Sequence, residues 1–90
     1  MADLTDNVAR HRYEMTIDGV VAFIQYRKEA DHVVLVHTEV PEALSGQGIG
    51  SAIARAVLDD ARARGRRVVP ECEFVASYIE RHPEYASLVA

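Results

Sequence analysis

Ninety residues, 49% hydrophobic and 27% charged, suit one globular core, and no apolar run nears the roughly 20 residues that a membrane-spanning helix needs. A net charge of -4 argues against a broad nucleic-acid surface, and one cysteine among four histidines offers neither an internal disulfide nor a zinc-finger spacing, so no metal site is expected. The opening Met1-Ala2-Asp3-Leu4-Thr5-Asp6 lacks the basic and apolar regions of a secretion signal, which makes the cytoplasm the expected location.

Residues 1–9 are polar and read as a flexible lead into the fold. Arg12 to Ile17 alternates like a half-buried strand, and Asp18-Gly19 suits the positive φ angles of a type I′ turn, so Val20 to Arg27 should return antiparallel. After a polar turn over 28–31, His32 to Val40 reads as a third strand. Strict alternation assigns Val33, Leu35, His37 and Glu39 to one face and Val34, Val36, Thr38 and Val40 to the other, before Pro41 ends the strand.

From Ile49 the period becomes helical, with Ile49, Ile53, Ala56, Val57 and Ala61 on one stripe and Gly65 as the stop. Arg62, Arg64, Arg66 and Arg67 then form a basic cluster that complements the helix C-terminus, with anion binding as its rival role. The β-branched run Arg67 to Cys72 should return parallel to the third strand as a right-handed βαβ crossover, and Phe74 to Arg81 forms a last short helix. The expected fold is α+β in a single domain over 1–90: a mixed sheet with an antiparallel N-terminal three-strand meander, one βαβ crossover and a short C-terminal helix.

Between the third strand and the first helix lies Ser45-Gly46-Gln47-Gly48-Ile49-Gly50. Glycine allows close backbone approach, and the free N–H groups of the following helix, at the positive end of its dipole, make a phosphate cradle; an ordinary tight turn is the rival reading. A dinucleotide fingerprint needs glycine at the first, third and sixth positions, which this loop lacks, and no Gly-Lys-Ser/Thr follows for a P-loop.

The segment Val36 to Pro41 followed by Ser45 to Gly50 resembles the coenzyme A pyrophosphate loop of the GNAT N-acetyltransferase superfamily, with Ser45-x-x-Gly48-x-Gly50 in the frame usually written Gln/Arg-x-x-Gly-x-Gly/Ala. Val69-Pro70-Glu71-Cys72-Glu73-Phe74-Val75, with Tyr78-Ile79 and Arg81-His82-Pro83-Glu84-Tyr85, is similar to a subgroup of minimal single-domain members of about this length. The resemblance implies acetyl-CoA as cosubstrate, with its pyrophosphate on the amides around Gln47, Gly48, Ile49, Gly50 and Ser51. It also implies that the third and fourth strands splay around the pantetheine arm, that Val40 touches that arm, and that Tyr78 is available to touch coenzyme A. Ser45 departs from the family's Arg or Gln, which leaves the cradle to backbone amides; Arg55 or the 62–67 arginines are candidates to compensate.

In that subgroup the histidine of the third strand and the cysteine of the fourth are the suspected catalytic pair, which falls here on His37 and Cys72. Cys72 could accept the acetyl group, or His37 could act as base while Cys72 lines the pocket, with Glu39 orienting His37 or acting through water. Tyr78 and Tyr85 are candidate proton donors, with core packing as the plainer role. The resemblance therefore implies an acetyl-CoA-dependent N-acetyltransferase whose acceptor is an amine, an exposed protein amine included, acting as monomer or homodimer. The alternative is a non-catalytic acyl-CoA-binding or interaction module that retains the loop, and a nucleic-acid binder fits the acidic charge poorly. The short Asp18-Gly19 turn leaves no room for the helices that larger members place there, so an open acceptor site is expected.

Overall fold

The computed structural model describes residues 3–90. Of the lead expected to be flexible, Met1 and Ala2 lie outside the described residues, whereas Leu4–Asn7 is a strand, β1, antiparallel to β2 (Arg12–Ile17), with Leu4 opposite Met15 and Asn7 opposite Arg12. A polar strand holds here because Leu4 packs against the core and Asp6 accepts hydrogen bonds from Tyr26 Oη at 2.5 Å and Lys28 Nζ at 2.6 Å. Burial opposes charge on Asp6, but those two donors outweigh it and hold the carboxyl below its ordinary value. A short 3-10 turn, Val8–Arg10, follows, capped where the Asn7 side chain accepts from Arg10 N, and His11 at φ 55° redirects the chain into β2.

Asp18 and Gly19 have φ of 51° and 77°, as a type I′ hairpin requires, and β3 (Val20–Lys28) returns with Val20 opposite Ile17. β4 (His32–Glu39) pairs antiparallel with β3, so the meander has four strands rather than three. β5 (Arg67–Pro70) then runs parallel to β4 from His32 opposite Arg67 to Leu35 opposite Pro70, completing the order β1-β2-β3-β4-β5.

The two helices, α1 (Ile49–Ala63) and α2 (Glu73–Arg81), share one core with one face of this sheet. Ile53, Val57 and Leu58 of α1 and Val75 of α2 are fully buried with Ile24, Val33, Leu35 and Val68, each such side chain contributing about 1.5–3 kcal/mol of transfer free energy. The other face, with Glu14, Phe23, Gln25 and Arg27 half-buried or exposed, carries neither helix. A final 3-10 segment, Pro83–Leu88, fastens the end: Tyr85 Oη donates to Asp59 at 2.7 Å, Arg62 Nη2 donates to Glu84 O, and Ala90 N donates to Val68 O. Much of the basic cluster is spent within the fold, since Arg64 pairs with Asp60 and Arg67 donates to Val89 O.

Strict alternation fails at one place. Gln25 lies opposite His37, but the next residue, Tyr26, lies opposite Leu35, so Val36 is an extra residue in β4. This β-bulge exchanges the faces beyond it. Thr38, opposite the buried Ile24, turns to the core side, while His37 and Glu39, opposite Gln25 and Phe23, turn to the uncovered face.

Candidate functional site

The loop before α1 is held at both ends and open between them. Leu44 and Ile49 are buried anchors, and between them Gly46 and Gly48 adopt φ of 77° and 72°, which L side chains rarely tolerate. Gly48 is the N-cap of α1 and no side chain caps the helix. Among the described residues, the amides of Gln47, Gly48, Ile49, Gly50 and Ser51 donate to no protein acceptor, although Gly48 O already accepts from Ala52 N. Five free donors at the positive end of a 15-residue helix are the arrangement that binding an anion requires.

A pocket of about 290 Å³ opens onto these amides, lined by Val40, Ser45, Gly46, Gly48, Gly50 and Ser51 and closed by Phe74 of α2. The two inner glycines serve different purposes. A Cβ on Gly48 would meet nothing within 4 Å, so its constraint is the backbone angle; a Cβ on Gly50 would lie 2.8 Å from the Phe74 ring, so its constraint is that ring. Ser45 is an exposed lining residue, and Gln47 is exposed and does not line the pocket.

Next to the loop, β4 and β5 part. Their ladder ends at Leu35 and Pro70, Cys72 N makes one further bond to Leu35 O at 2.8 Å, and β4 continues to Glu39 without a β5 partner. The free edge of Val36 to Glu39 therefore leads directly to the glycine loop, with the start of α2 across the gap. Cys72 is the N-cap residue of α2, buried at 8% exposure, and its Sγ lies 3.2 Å from Thr38 Oγ1.

His37 is not beside Cys72. Its Nε2 is 2.9 Å from Glu39 Oε1 on the uncovered face, where both side chains are about half exposed, and the Phe23 ring meets the imidazole edge-on at 6.5 Å. The bulge at Val36 corrects the expected pairing: it sends His37 and Glu39 to one side of β4 and gives the place facing Cys72 to Thr38.

Tyr78 does not line the loop pocket either. Its ring is buried and stacks on His82 at 4.0 Å, and burial raises its hydroxyl above the usual tyrosine range. Burial, followed by the bond to Asp59, pushes Tyr85 up to about 12, which makes it a poor proton donor. Arg55 faces Asp59 at 3.9 Å and Arg62 donates to Glu84 O, and neither is among the residues that line the loop pocket. Phe74 and Thr38 are the residues that sequence reasoning missed. Phe74 sits one helical turn from Tyr78 and so reads as core, while Thr38 falls on the wrong face unless the bulge is known.

A family model described as GCN5-related N-acetyl-transferase matches residues 12–88 of the chain. Among solved structures, the solution structure of a GCN5-like N-acetyltransferase candidate from Staphylococcus aureus is similar with a TM-score of 0.73 at 23% identity, over 98% of this chain and 87% of that one, a likeness of fold.

Proposed function

The chain belongs to the GCN5-related N-acetyltransferase family, and from that premise we propose that it transfers an acetyl group from acetyl-CoA directly to an amine presented at the uncovered face of the sheet. The observation that carries this reading is the run of partnerless amides from Gln47 to Ser51, placed where the free edge of β4 ends. Acetyl-CoA supplies an acetyl group activated as a thioester. The amides of Gln47, Gly48, Ile49, Gly50 and Ser51 hold its pyrophosphate, Val40 and Phe74 flank the arm, and the edge of β4 offers backbone partners beyond Leu35.

An amine must shed a proton to attack a carbonyl. His37, oriented by Glu39, takes that proton from the open side of β4. Cys72 lies on the other side, and its side-chain partner is the Thr38 hydroxyl, which cannot generate a thiolate as an imidazole would. Cys72 therefore lines the cofactor side, and the amine attacks the thioester carbonyl directly: the C–N bond forms, the C–S bond breaks, and the departing coenzyme A thiolate takes up the proton that His37 has accepted. Because neither α1 nor α2 covers the acceptor side, an amine on a larger molecule, an exposed protein amine included, can reach it.

Calorimetric titration of acetyl-CoA into the wild type and Gly48→Glu tests the cradle. The variant adds strain and a carboxylate where pyrophosphate belongs, and affinity should fall by at least about tenfold with the circular dichroism spectrum retained. Equal binding by both proteins, or none by the wild type, overturns the reading. Ser45 at the loop entrance favours a second reading, an acyl-CoA-binding module without turnover, which binding without acetyl transfer to any amine would support.

A further inference from the structure

Resting on the acetyltransferase reading, we propose that the acceptor is a primary amine carried on an uncharged apolar arm, with the amine at Glu39 and His37 and the arm in a hollow beside the β4 bulge. That hollow, about 610 Å³, lies where Gln25, Arg27 and the bulge residue Val36 meet Val8 and His11. Gln25 is the cross-strand partner of His37 and Val36 precedes His37 in β4, so the hollow begins one residue from the proton-accepting imidazole. Of the three exposed large hydrophobic residues among those described, Phe74 lines the loop pocket, while Val8 at 62% and Val36 at 36% exposure both line this hollow. Solvated apolar side chains gathered in one concavity mark a place where an apolar group gains by leaving water.

The charges choose between kinds of amine. Arg27 is paired with Glu29 at 3.1 Å and Glu71 at 3.6 Å, and Lys28 with Asp6 at 2.6 Å, so the cations at the hollow are already neutralised and no spare carboxylate stands among its lining residues. A second ammonium group, as on a polyamine, would find no carboxylate among the lining residues to pair with. Glu39 Oε1 is bonded to His37, which leaves Oε2 without a partner among the described residues, available to accept from an incoming ammonium. The preferred acceptor is thus cationic at one end only. A free aralkylamine and the terminal amine of a peptide with apolar first residues share this chemistry.

The test is a titration of the 15N-labelled full chain with phenethylamine, with the dipeptide Leu-Phe amide and with spermidine, followed by amide chemical shifts, and repeated on Val36→Glu and Val8→Glu. Val8 is exposed, so its substitution leaves the core untouched. The first two ligands should move the Val8, Gln25 and Val36 amides in the wild type, and each variant should weaken their binding at least about fivefold while improving that of spermidine. The two apolar ligands, compared with each other, distinguish a small-molecule acceptor from a peptide one. Shifts confined to other residues, spermidine as the tightest ligand of the wild type, or variants that bind like the wild type would overturn the proposal. Binding at the hollow without acetyl transfer on addition of acetyl-CoA would overturn the acetyltransferase reading and leave the hollow's ligand class standing.

Discussion

Thr38 Oγ1 lies 3.2 Å from Cys72 Sγ, a contact that the extra residue at Val36 creates by exchanging the faces of β4. Together with the bond from Cys72 N to Leu35 O, it ties the start of α2 to β4 on both sides of the bulge. The strands can part beyond Leu35 without the end of the ladder coming loose.

Removing that hydroxyl while keeping its shape isolates the tie. Thr38→Val should lower the unfolding free energy by about 1 kcal/mol in urea denaturation, and Thr38→Ser should recover most of it. A Val variant as stable as the wild type would show that the contact contributes nothing to the anchoring of α2.

The two sides of β4 should respond differently in the acetylation assay. His37→Ala should reduce kcat by about 10²-fold or more, the usual worth of a positioned general base, while Cys72→Ala should stay within a few-fold of the wild type. Loss of turnover in Cys72→Ala, with an acetyl group found on Cys72 by mass spectrometry of the quenched wild type, would replace direct attack with an acetyl-enzyme.

Most of the fold was legible because its signals are local: Asp18-Gly19 fixes the hairpin, the spacing of Ile49, Ile53 and Val57 fixes α1, and Gly65 stops it. What escaped depends on partners distant in sequence. β1 looks polar until Tyr26 and Lys28 are seen to engage Asp6, and the bulge carries no glycine to mark it, because Val36 is as good a strand residue as its neighbours. That unmarked residue is also why His37 and Cys72 fall on different sides of β4, while the glycine loop, read from its own residues, lies between β4 and α1 as its neighbours imply.

At high pH, Tyr85 should be a measurable liability. Burial, then the hydrogen bond to Asp59, raises it from 10.0 to about 12, so the stability it contributes is complete below pH 10 and fades as pH rises through about 12. Tyr85→Phe should cost about 1 kcal/mol at neutral pH through the lost bond, and its deficit against the wild type should shrink between pH 10 and about 12. A deficit that stays constant across this window would show that the phenol titrates normally in the folded chain.

Gly50 and Phe74 provide the sharpest separation of fold from binding. A methyl group at position 50 would press on the far end of the Phe74 ring at 2.8 Å, and that ring is 38% exposed, so it can swing outward at small cost to the core. Position 50 is helical with an ordinary φ, and alanine favours a helix over glycine by about 1 kcal/mol. Gly50→Ala should therefore leave stability unchanged or slightly raised while weakening acetyl-CoA binding, because the displaced ring no longer closes the loop pocket. Phe74→Ala, which removes the ring outright, should weaken binding by a similar factor, and combining the two changes should weaken it little further, since both act through one side chain. Calorimetric titration of the four proteins checks this directly: additive losses in the double variant would mean that Gly50 serves the ligand itself and not the ring.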